Sequence, residues 1–118
     1  MSINSTLQVS RMESPSLTYL KELSKGNVVF ERKIIKIMID ELGEENAFYE
    51  KAIQLKNYYW ASEIVHKMKH KIAFFQMDLA FSVAEEHELS LLKESLNYDK
   101  DFQEIITKIL NFLPECSE

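Results

Sequence analysis

The 118-residue sequence predicts an all-α protein, an antiparallel four-helix bundle with a short additional N-terminal helix, and three observations carry that expectation. Apolar residues recur at intervals of three and four along successive segments, as in helices with one buried stripe. Only two glycines and two prolines punctuate the chain, too few for an all-β sandwich with a turn about every ten residues. The breaks between the periodic segments are short, which favours antiparallel neighbours. A chain of this length, 46% apolar, has room for one domain with a single core.

Residues 1–16 are rich in Ser, Thr and Asn, lack sustained periodicity and contain Pro15, so they read as a disordered lead-in. The bundle is expected over 17–113. Leu17, Leu20 and Leu23 form a short first helix ending at Ser24-Lys25-Gly26-Asn27, where glycine suits a left-handed cap and asparagine opens the next helix. From Val28 to Leu42 the stripe is Phe30, Ile34, Ile37, Met38 and Leu42, and Gly43 closes the segment. Glu44 and Glu45 suit a new first turn through the macrodipole, followed by Phe48, Ala52 and Leu55 and an end near Lys56-Asn57. Tyr58-Tyr59-Trp60 leads into a central helix that ends near Gln76 or Met77, with Asp78 as N-cap of its successor. That successor, Leu79 to Ser95, buries Ala80, Val83, Ala84, His87 and Leu91, with His87 as a packed histidine rather than a ligand. A turn over Asn97 to Asp99 precedes the last stripe, Phe102, Ile105, Ile106, Ile109, Leu110 and Leu113, which Pro114 stops. Residues 114–118 form a C-terminal tail holding the only cysteine, Cys116, which has no partner for an internal disulfide.

The stretch from Trp60 to Met77 carries the chemistry. On a helical wheel Ile64, Met68 and Phe75 fall roughly 160 to 200° from His66 and make a buried seam. Ser62, Lys69, His70, Ala73 and Met77 fall within about 60° of it, so His66 is expected on an exposed strip with a lysine one turn on. Between Ile64 and Met77 there are three lysines, two histidines and no acid, inside a chain of net charge −5. The acidic total argues against a phosphate-backbone binder of nucleic acid, and no apolar run approaches the roughly 18 to 20 residues of a membrane span. No secretory signal pattern opens the chain, and a cytoplasmic protein is expected.

The run V-H-K-M-K-H-K-I-A-F-F-Q-M over Val65 to Met77 resembles the phospho-acceptor helix of histidine-containing phosphotransfer (HPt) domains of two-component phosphorelays. In that family an acceptor histidine is followed by any residue, an apolar residue and a lysine; a leucine comes later, and a Leu-Glu pair near the following helix. His66, Met68, Lys69, Phe75 and Glu88 fall in those places, and Leu20, Leu23, Gly26-Asn27, Phe30 and Trp60 agree upstream. The similarity covers residues 17–113. Three positions depart from the pattern: His70 and Gln76 stand where small residues are usual, and His87 replaces an apolar residue.

The resemblance implies that His66 accepts a phosphoryl group from a receiver-domain aspartate and passes it to another receiver, with Lys69 approaching the phosphoryl oxygens. A neutral imidazole, of ordinary pKa about 6.5, is a nucleophile at physiological pH. The implied partners are response-regulator receiver domains and a hybrid sensor kinase, docking over Ser62, Lys67, His70, Ala73 and Met77. Lys67 and Lys71 read first as solvated lysines, although both would add to a positive rim. The chain needs no cofactor of its own, since Mg²⁺ belongs to the receiver, and a monomer is expected. No Gly-rich phosphate loop or kinase ATP site is present, so it is expected to lack ATP-dependent kinase activity. Two other readings compete. A helical adaptor would keep the docking face without phosphotransfer, and His66 with His70 at i and i+4 would place two imidazoles on one metal, though with no third ligand in view.

Overall fold

The computed structural model describes residues 13–116, and the described residues form five helices with no strand. They are α1 (Thr18–Ser24), α2 (Val28–Gln54), α3 (Tyr58–Phe74), α4 (Asp78–Leu92) and α5 (Asp99–Cys116). The four longer helices close a ring of contacts, α2 on α3, α3 on α4, α4 on α5 and α5 on α2, while α1 lies against α2. Phe48 meets Trp60 and Glu41 meets Lys71, so α2 and α3 run antiparallel. The α3 and α4 pair does the same, with His66 opposite Glu88 and Lys69 opposite Glu85.

Gly43 does not close a helix. The segments expected as Val28–Leu42 and Glu44–Leu55 are one helix of 27 residues, because an exposed glycine can continue a helix whose neighbours are held by packing. The real stripe is Ile35, Leu42 and Tyr49, spaced by seven and running straight past the glycine, while Phe48 and Leu55 are exposed. A Cβ on Gly43 would meet nothing within 4 Å. Gly43→Ala is therefore expected to stabilise the protein by about 1 kcal/mol, the ordinary helix-interior difference. Urea unfolding checks this: an unchanged or lower midpoint would mean that α2 relies on a distortion at this residue.

Side chains start α2 and α3: Asn27 accepts from the Phe30 amide at 3.0 Å, and Asn57 from the Trp60 amide at 3.1 Å. Three helices end in the same double-bonded cap. After α3, the Met77 amide donates to the Ile72 carbonyl and the Gln76 amide to the Ala73 carbonyl, with Gln76 left-handed at φ 59°. Lys56 and Glu94 take the corresponding place after α2 and α4. This cap turns Met77 inward, fully buried, which corrects its expected place on the exposed strip.

Asp78 is not the N-cap of α4; Met77 holds that position and makes no side-chain cap bond. The work falls to Glu13, whose carboxylate accepts from the amides of Leu79 (3.0 Å) and Ala80 (2.8 Å) and whose carbonyl accepts from Lys108 Nζ at 2.6 Å. The Ser16 amide donates to the Phe75 carbonyl, and Pro15 is buried. Glu13 to Ser16 are thus fastened to the helices rather than forming part of a loose lead-in; the remainder of that expected segment, residues 1–12, lies outside the described residues. At the other end α5 runs through Pro114 to Cys116 instead of stopping, since a proline this close to a C-terminus removes only one late helical bond. Residues 117–118 of the expected tail lie outside the described residues.

A polar cluster sits inside the core where three helices meet. Tyr49 of α2, fully buried, donates its hydroxyl proton to an Asp99 carboxylate oxygen, and its oxygen lies 2.6 Å from His87 Nε2. Asp99 also accepts from Gln103 Nε2 at 3.0 Å. An ionised carboxylate can only accept, so the phenolic proton points to Asp99 and His87 Nε2 must carry the proton that it donates to Tyr49. Burial pushes the His87 imidazole down to about 4 even though Asp99 and Asp101 pull the other way. Burial and Asp99 push the Tyr49 phenol far above its ordinary value. One chain of uncharged donors ending on one carboxylate thus joins α2, α4 and α5.

Candidate functional site

α3 lies between α2 and α4, and that placement decides which of its residues reach water. Ile64, Met68 and Phe75 are buried as the wheel required, and His66 on the opposite side has 56% of its side chain exposed. Lys67, His70 and Ala73 are exposed with it. Ser62 is not. It is 4% exposed, with its hydroxyl turned back to donate to the Tyr59 carbonyl at 2.7 Å. A helix flanked on both sides buries a sector wider than one stripe, and Ala61, Ser62 and Val65 fall within it. The exposed strip is thus shorter than expected: Ser62 and Met77 are buried, and Lys69 is mostly covered.

Glu88 of α4 defines the site. Its carboxylate lies 3.1 and 3.2 Å from His66 Nδ1, and one of its oxygens is 3.0 Å from Lys69 Nζ. The carboxylate can only accept, so Nδ1 carries the proton and Nε2 keeps its lone pair. Lys69 is mostly buried, at 12% side-chain exposure, lies over the Phe81 ring at 5.7 Å and is 3.9 Å from Glu85. The His70 ring stands edge-on to His66, with centroids 5.1 Å apart.

The reversed local charge seen in the sequence is largely cancelled in space. Lys69 is met by Glu85 and Glu88 from α4, and Lys71 by Glu41 (3.1 Å) and Glu45 (3.0 Å) from α2. Lys71, with 14% of its side chain exposed, is thus an interhelical tie and not part of an open positive rim. Lys67 alone of these three lysines is fully open to solvent. The roles of Glu85 and Glu88 are absent from local spacing, because the partners of α3 come from a helix whose register against it only the fold sets.

Comparison with family models, characterised proteins and solved structures finds no match. The site therefore stands on its own geometry. Among the described residues no three His, Cys, Asp or Glu side chains gather in a way that would hold a metal ion, and no helix is long and apolar enough to cross a membrane.

Proposed function

We propose that the protein is a phosphorelay intermediate of the HPt kind, in which His66 takes a phosphoryl group from a receiver-domain aspartyl phosphate and passes it to another receiver. The observation that carries this reading is the exposed His66 ring with Nδ1–H on Glu88, which in the neutral ring leaves the lone pair on Nε2. In transfer the Nε2–P bond forms as the P–O bond to the donor aspartate breaks, and the aspartate leaves as a carboxylate. The ring then carries positive charge, and Glu88 stabilises it without any proton having to move. Lys69, held on the same carboxylate, is the cation this reading assigns to the new phosphoryl oxygens. Positioning and charge do the rest, with Mg²⁺ supplied by the receiver. The ring of contacts among α2 to α5 supports an antiparallel four-helix bundle as the scaffold, and receiver domains and a hybrid sensor kinase in the cytoplasm are the partners this chemistry calls for.

Incubation with a panel of phosphorylated receiver domains tests the reading. Acid-labile, base-stable label should move to this chain, and ATP alone should leave it unlabelled. If no receiver gives up its phosphate, the adaptor reading replaces this one; the edge-on His70 ring, which narrows the approach to His66, is the observation in its favour. Glu88→Ala is expected to slow uptake roughly ten- to hundredfold, because the imidazole loses the group that fixes its tautomer and orientation. Single-turnover transfer measures it, and a wild-type rate would separate Glu88 from the chemistry.

A further inference from the structure

On the flank of α3 away from Glu88, α2 and α3 leave an open groove of about 400 Å³. Part of its lining is apolar. Phe48, 46% exposed, faces Trp60 with ring centroids 6.1 Å apart and planes tilted by 49°, and Ile64 lies beside them. Three carboxylates, Glu41, Glu44 and Glu45, line the same groove. Glu41 and Glu45 share Lys71, whereas Glu44 is exposed and makes no ion pair among the described residues. Lys67 also lines the groove and makes no ion pair among the described residues.

An exposed Phe48 and a half-buried Trp60 beside a carboxylate with no ion pair among the described residues match one kind of ligand, a cation on an apolar stem. The ring faces attract the charge, the stem covers apolar surface that is now wet, and the carboxylate supplies the counter-charge. An anionic side chain would meet Glu44, and a neutral apolar one would leave that charge unused. We propose that this groove binds an arginine or lysine side chain of a docking partner, with the cation over Phe48 and Trp60 and paired with Glu44. As an anchor for the phosphoryl donor this rests on the phosphorelay reading; binding of the cation does not. Lys67 then opposes the incoming charge, which reverses its expected role as an attractive rim residue.

Trp60 is the only tryptophan, so its emission reads the groove directly. The probes are N-acetyl-arginine amide and its citrulline counterpart, which keeps the shape and lacks the charge. The arginine probe should change the emission saturably and the citrulline probe should not. Phe48→Ala and Glu44→Gln should each weaken the response about fivefold, and Lys67→Gln should strengthen it. Phe48 and Glu44 are exposed, so neither substitution opens the core, and circular dichroism checks the fold. Equal responses to the two probes, or a Glu44→Gln titration that matches the wild type, overturns the proposal. With a phosphorylated receiver as donor, Glu44→Gln should raise the half-maximal receiver concentration about fivefold at an unchanged saturated rate, and an unchanged half-maximal concentration overturns the anchoring role. Failure of every receiver to transfer phosphate would count against His66 and not against the groove, because the titration involves no phosphate.

Discussion

His66→Gln is expected to abolish phosphoryl uptake while leaving the protein folded. Glutamine keeps a polar group of similar reach but has no ring nitrogen lone pair, and an amide is far too weak a nucleophile to displace a carboxylate from phosphorus. The ring it replaces is more than half exposed and among the described residues hydrogen-bonds to Glu88, which retains Lys69 as a partner. The stability change should therefore stay within about 0.5 kcal/mol. Transfer from a labelled receiver, read beside far-UV circular dichroism, decides the matter. Label retained on a folded variant would move the acceptor to His70, since His87 is fully buried and its Nε2 is committed to Tyr49.

A loss of about 3 kcal/mol of stability between pH 6.5 and 4, assigned to His87 alone, is the second large effect. Its folded-state pKa is lowered to about 4, against about 6.5 in the unfolded chain. Above pH 6.5 both states hold the imidazole neutral and the residue adds no pH dependence. As the pH falls below that value the unfolded chain takes up a proton that the folded core refuses, so stability drops by about 1.4 kcal/mol per unit. The drop levels off below pH 4, where the folded state is protonated as well. Carboxylates titrate in the lower part of this window, so the comparison is with His87→Gln, whose amide can donate to Tyr49 but does not titrate. Between pH 6.5 and 5 the wild type should lose about 2 kcal/mol more than the variant in urea unfolding. Parallel curves would mean that the buried imidazole admits its proton without cost.

The sequence was legible wherever one helix faced one core. The five residues expected to be buried on α4, Ala80, Val83, Ala84, His87 and Leu91, are the five that are buried, and α5 keeps its stripe except for a half-buried Leu110. Period alone was enough there. It failed at Gly43, where reading a stop reset the phase and put Phe48 and Leu55 inside in place of Tyr49. It failed again at Met77, because the left-handed turn at Gln76 takes the chain off the wheel, and no glycine marks that turn. Of the site, the exposed histidine could be read from α3 by itself. The carboxylates that orient it and neutralise its lysines belong to other helices, and no spacing within α3 contains them.

His66 and the carboxylate that holds its ring lie 22 residues apart on two helices joined by a three-residue turn, and Lys69, Glu85 and Phe81 belong to the same pair. The surroundings of His66 are therefore a property of one hairpin, residues 58–92, while α2 grips the same hairpin from its other flank through Glu41 and Glu45 on Lys71. A change that parts α3 from α4 would separate both His66 and Lys69 from Glu88 at once.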